Sequence, residues 1–119
     1  MPKIDSYSFG NIRVDGKKYS DDIIISSQNG VIEDYWWRDE GHELQNQDLK
    51  QVYQLNPDMF IMGIGHNGRV EVGSEVKRKM EQEGIDFKYK KSTAAVDLYN
   101  NLARKNPDKH IVGGFHLTC

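Results

Sequence analysis

Hydrophobic and polar positions change period once along this chain, near Trp37. Before that point the pattern is short and strand-like. Asp15-Gly16 separates Asn11–Val14 from Lys17–Ser20, and Asn29-Gly30 separates Asp22–Ser27 from Val31–Trp37. Both dipeptides suit type I′ turns, whose two positive-φ residues match the twist of the flanking strands. Two such signals in succession predict an antiparallel meander. Ile23-Ile24-Ile25 reads as a strand covered on both faces.

After Trp37 the period becomes helical. Asn46 is placed to cap a helix with Leu49, Val52 and Tyr53 on one face, stopped by Asn56-Pro57. The apolar run Met59–Gly63 predicts a buried parallel strand. A helix over Ser74–Glu83 follows, with a thin stripe of Val76 and Met80 and Gly84 as its terminator. Ile85–Tyr89 is the next strand. Ser92 or Thr93 caps a third helix with Ala95, Val96, Tyr99, Leu102 and Ala103 inward, and Ile111–Leu117 is the last strand. The order strand, helix, strand, helix, strand implies right-handed crossovers and parallel pairing. The expected fold is a single α/β domain over residues 1–119: an antiparallel meander joined to a parallel, Rossmann-like β-α-β-α-β half.

Composition narrows the classes of function. The chain has 119 residues, a formal net charge of −2 and 29% charged residues, with a mean hydropathy of −0.74. Near-neutral charge argues against nucleic acid as a partner, because phosphate binding requires a basic face. No run approaches the roughly 20 apolar residues of a membrane helix. The one cysteine, Cys119, permits no internal disulfide, and the first residues resemble neither a signal nor a transit peptide. The expected location is the cytoplasm.

Two segments carry candidate chemistry. The first is the loop after Met59–Met62, comprising Gly63, Gly65, His66, Asn67, Gly68 and Arg69. In open α/β sheets, ligands sit beyond the carboxyl ends of the strands. Gly63-x-Gly65-x-x-Gly68 formally matches the dinucleotide fingerprint. That motif requires a helix at once and an acidic residue about 20 positions on. Here an alternating segment follows instead, and the next strand ends in Tyr89-Lys90-Lys91, so no nicotinamide cofactor is expected. The loop is then either a tight turn or a pocket for a small anion, with Arg69 and His66 as its contacts.

The second segment is Trp36, Trp37, Arg38 and His42. Neighbouring strand residues face opposite sides, so one tryptophan belongs to the core and the other is covered or lies at an interface. Tryptophan and arginine are the residues of binding hot spots. The four histidines show no metal-ligand spacing, and no metal is expected. His66 and His116 each lie near the end of a predicted strand, with Cys119 close in sequence to the second. They read as structural histidines, or as a Cys/His pair without an evident orienting residue. No residue is assigned a catalytic role.

Several landmarks together resemble a known family. They are Tyr7-Ser8-Phe9-Gly10 with Val14-x-Gly16, Trp37-Arg38-x-x-Gly41-His42, Asp48-Leu49 and Gly63-x-Gly65. They continue through Gly84-Ile85-Asp86, Ala95-Val96-x-x-Tyr99-Asn100 and Phe115-His116-x-Thr118-Cys119. Their order and spacing are similar to the Mth-type domain family, long labelled a domain of unknown function. Its members include the adipogenesis-associated Mth-domain protein and a mitochondrial complex I assembly factor. The resemblance implies a three-layer β/β/α domain without established enzyme activity. It also implies a binding, assembly or regulatory role; on that reading the protein partner meets the Trp36–His42 patch, and the chain is expected to be a monomer or weak homodimer. The alternative is a small-anion binder or enzyme using Gly63–Arg69.

Overall fold

The computed structural model describes residues 2–38 and 40–119. Ten strands and three helices follow in the order β1 Ile4–Ser8, β2 Asn11–Val14, β3 Lys17–Tyr19, β4 Ile23–Ser26, β5 Gly30–Glu33, β6 Glu43–Leu44, α1 Lys50–Leu55, β7 Met59–Gly63, β8 Glu71–Val72, α2 Ser74–Gln82, β9 Asp86–Lys90, α3 Ser92–Lys105 and β10 Ile111–Phe115. A 3-10 turn, Asn46–Leu49, leads into α1.

The apolar run Met59–Gly63 is buried along its length and sits inside a five-stranded sheet, β5-β4-β10-β7-β9. It pairs in parallel with β10 and with β9, as the alternation of strands and helices predicts. The first third divides. β1, β2 and β3 form their own antiparallel sheet, while the β4–β5 hairpin joins the large sheet through an antiparallel β4–β10 ladder.

Alternation along the buried strands creates two cores. Ile23, Ile25, Met59, Ile61 and Ile111 meet the small sheet and α3 on one face. Ile24, Phe60, Met62 and Val112 meet Trp36, α1 and α2 on the other. The small sheet is also tied to α3 by a polar clamp: Asn100 accepts the Ile4 amide at 3.0 Å and donates to the Ile4 carbonyl at 2.8 Å. No helix among the described residues is long and apolar enough to cross a membrane.

Several local expectations change. β1 and β6 lack a strong sequence signal, whereas β8 falls in the alternating segment that follows the glycine loop. Asp15 and Gly16 both have positive φ, as a type I′ turn requires, but at Asn29-Gly30 only the glycine does. There the Ser26 hydroxyl takes the Gln28 and Asn29 amides and shapes a longer loop. β5 ends at Glu33, not Trp37, because the chain leaves the ladder and the Trp36 amide donates to the Asp22 carbonyl. The N-cap of the first helical segment is Gln45 rather than Asn46, whose side chain accepts the Tyr53 hydroxyl instead. Lys91, not Ser92 or Thr93, occupies the N-cap of α3, since the Ser92 hydroxyl is committed across the sheet edge.

Gly113 lies in the central strand where a Cβ would stand 2.6 Å from Phe115 Cε2 and 3.1 Å from Tyr99 Cδ1. Both rings are fully buried. Gly113→Ala is therefore expected to lower the unfolding free energy by about 1–3 kcal/mol through overpacking. Chemical denaturation measures this, and an unchanged midpoint would contradict the tight packing.

Candidate functional site

The glycine loop is held from both sides. The Gly65 amide donates to the Ser92 hydroxyl at 3.0 Å, the Gly65 carbonyl accepts the Ser92 amide at 3.0 Å, and Ser92 donates to the His116 carbonyl at 2.6 Å. Gly65 has φ +107°, and a Cβ there would overlap the backbone carbon and oxygen of Cys119. Both features require glycine. The His66 and Arg69 amides donate to the oxygens of Thr118 at 2.7 Å and Cys119 at 3.1 Å. The C-terminal strand extension thus occupies the donors that an anion would use. No helix starts at this loop; β8 precedes α2, which begins at Ser74.

The side chains of His66, Asn67 and Arg69 are exposed, and Arg69 forms no ion pair among the described residues. His66 Nδ1 lies 3.4 Å from the Tyr7 hydroxyl, with the Phe9 ring edge-on at 5.6 Å. His116 has different partners.

His116 belongs to a partly buried polar cluster that the sequence pattern does not mark. Asp22 immediately precedes β4. Its Oδ2 lies 2.7 Å from Arg38 Nη1 and 2.7 Å from His116 Nδ1, and its Oδ1 accepts the Leu117 amide at 2.9 Å. The short contact to a carboxylate requires a hydrogen on His116 Nδ1. The ring therefore donates to Asp22, and Arg38 Nη2, 2.9 Å from the same nitrogen, is its neighbour on the shared carboxylate rather than a donor to it. His116 Nε2 then faces the Thr118 hydroxyl at 3.4 Å. Burial pushes the Asp22 carboxyl upward, but the hydrogen bonds from His116, the Leu117 amide and Arg38 outweigh it and hold the pKa below its ordinary value. The orienting carboxylate absent from the sequence reading is thus Asp22, 94 residues before His116.

Arg38 also stacks on Trp36, with its guanidinium carbon 5.1 Å from the ring centroid. Trp36 is buried, and its indole donates to the Asp48 carbonyl at 3.0 Å. Trp37, facing the other way, is 69% exposed, and Tyr35 is 63% exposed. The expected split of the tryptophan pair is what the structure shows. Tyr35 and Trp37 form a ridge between two clefts, each of about 300 Å³. One cleft includes Asp21, Asp22, Arg38 and His116; the other includes Glu33, Asp48 and Lys50. His42 is exposed, and its carbonyl accepts the Glu71 amide, docking β6 beside β8. Among the described residues no group of His, Cys, Asp and Glu is arranged to hold a metal ion.

The Asp22 cluster has a pH signature. A carboxyl whose pKa is lower in the folded state contributes stability above its unfolded pKa, and loses it as pH falls through the folded value. Asp22→Asn leaves the buried Arg38 charge unpaired and is expected to cost about 3 kcal/mol at neutral pH. The gap between wild type and variant should narrow on acidification below the ordinary aspartate range. Denaturant titrations across pH check this; a gap independent of pH would contradict it.

Residues 4–116 match the family described as "Protein of unknown function (DUF498/DUF598)". The fold is that of the conserved hypothetical protein PH1505 from Pyrococcus horikoshii, with a TM-score of 0.78 at 24% identity over 98% of this chain and 99% of that one. It is equally similar to the protein MT938, at TM-score 0.78 and 20% identity over the full length of both. A Mth938-like domain from Bordetella pertussis superimposes with a TM-score of 0.77 at 17% identity, covering 97% of this chain and 85% of that one. The chain is a member of the DUF498/DUF598 family and has the Mth938-like fold.

Proposed function

We propose that this domain is a non-enzymatic protein-binding module, assembling or regulating a partner that docks on the Tyr35–Trp37 ridge. The observation that carries the reading is the exposure of Trp37 and Tyr35 on a segment whose intervening residue, Trp36, is locked inward. Tryptophan and tyrosine have only two rotatable side-chain bonds, so each supplies a large contact area at a small loss of freedom on docking. Tryptophan and tyrosine are also the residues that dominate interface energies. The flanking clefts supply relief on both sides of the ridge. A single cysteine suits a reducing compartment such as the cytoplasm.

The anion-binding reading of Gly63–Arg69 has less support, because the His66 and Arg69 amides already donate within the chain. It would rest on the exposed His66 and Arg69 side chains alone.

The test replaces Trp37 with a photo-crosslinking amino acid in the cells that make the protein, with the same replacement at Tyr89 as control. Tyr89 is also exposed, on the far edge of the large sheet. Position 37 is expected to yield a discrete protein adduct and position 89 none. Trp37→Ala should change folding stability by no more than about 0.5 kcal/mol, as at other open surface sites. Absence of an adduct at 37, or the same adducts at both positions, would overturn the reading.

A further inference from the structure

We infer that the segment docking on the ridge is basic, presenting arginine or lysine side chains to Trp37 and Tyr35; this rests on the ridge being the binding face. The chain has six tyrosines and two tryptophans, and six of these eight rings are already engaged. Lys17 lies over Tyr19 at 5.2 Å, Arg38 over Trp36 at 5.1 Å, Lys79 over Tyr53 at 4.8 Å and Lys77 over Tyr89 at 5.2 Å. Tyr7 meets the His66 ring, and Tyr99 meets Phe115. Among the described residues, Tyr35 and Trp37 alone of these eight have neither a cation nor a ring against them, and they are the two most exposed large hydrophobic residues.

The charges beside these open faces select the occupant. Asp21, exposed in the first cleft, and Asp34, exposed next to Tyr35, form no ion pair among the described residues. The cation of that cleft, Arg38, is bound to Asp22. In the second cleft Glu33 lies with Lys50, and the Asp48 carboxylate accepts the Gln45 amide. The negative charge without an ion-pair partner beside the ridge is therefore that of Asp21 and Asp34. A cation over an aromatic face is attracted by the ring quadrupole, and nearby carboxylates add to that attraction and select against acidic partners. The Arg38–Trp36–Asp22 group shows the same combination of guanidinium, indole and carboxylate formed within the chain.

The test uses an octapeptide of alternating arginine and glycine, titrated against the intact protein by calorimetry. Controls are the same peptide with citrulline, which keeps the shape of arginine without its charge, and with glutamate. Binding is expected for the arginine peptide only, weakening as salt rises. Trp37→Ala is expected to weaken it about tenfold, and Asp21→Asn with Asp34→Asn several-fold. Asp97→Asn, a surface change on α3, should leave it unaltered. No binding, equal binding of the citrulline peptide, or binding indifferent to Trp37 and to Asp21 with Asp34 would overturn the inference. If the crosslinker at position 37 instead captures a partner through a neutral or acidic segment, the basic occupant is refuted while the ridge remains the binding face.

Discussion

The carboxylate of Asp22 is the point on which the placement of the Tyr35–Trp37 ridge depends. It sits where three parts of the chain converge: the start of β4, the loop carrying Arg38, and the extension of β10. Both its oxygens are engaged, Oδ2 by a guanidinium and an imidazole and Oδ1 by a backbone amide. A buried charged pair of this kind adds little net stability over an apolar equivalent, but losing one member is costly. Its contribution is to fix geometry. With Arg38 pinned, its guanidinium lies on Trp36, Trp36 fills the core against Phe60 and Val112, and the chain alternation turns Trp37 and Tyr35 to solvent.

A second polar node works at the carboxyl ends of the parallel strands. The Ser92 hydroxyl, fully buried, bridges the Gly65 amide and the His116 carbonyl. Each group it satisfies would otherwise be an unpaired backbone group in the interior. Together with the His66 and Arg69 amides, this bridge stitches the glycine loop to the chain end. The edge where many α/β proteins hold a ligand is here largely filled by the protein's own backbone. The cleft beside Tyr35 and Trp37 opens at the end of β10, where His116 and Leu117 follow the strand and Asp22 precedes β4.

The parallel half was legible in sequence because its elements obey their periods: a buried run at Met59–Gly63, a thin stripe at Val76 and Met80, a broad one at Ala95, Val96 and Tyr99. The opposed tryptophans were legible because the chain goes on alternating inward and outward beyond Glu33, although β5 ends there. What the pattern hid is non-local. Asp22 and His116 carry no mark that they meet across 94 residues of chain, and Ser92 looks like an ordinary helix cap until the loop it bridges is in place. β1 was hidden because Asp5, Ser6 and Ser8 offer little apolar alternation. Its place is set instead by Asn100 clamping Ile4 and by the ladder to β2. The glycine fingerprint misleads in the opposite way: its spacing is local and correct, but its glycines accommodate Ser92, Lys91 and Cys119.

The most direct measurement of the Asp22 anchor is hydrogen exchange of the Trp36 indole N–H, which donates to the Asp48 carbonyl beneath the Arg38 stack. It is read in wild type and Asp22→Asn, relative to core amides such as Ile61. If the carboxylate holds the ridge in place, the variant's indole exchanges at least about tenfold faster relative to those amides, a local opening within a folded sheet. An unchanged ratio, with the indole and the core moving together or not at all, would show that the ridge is held without Asp22 and would contradict the account.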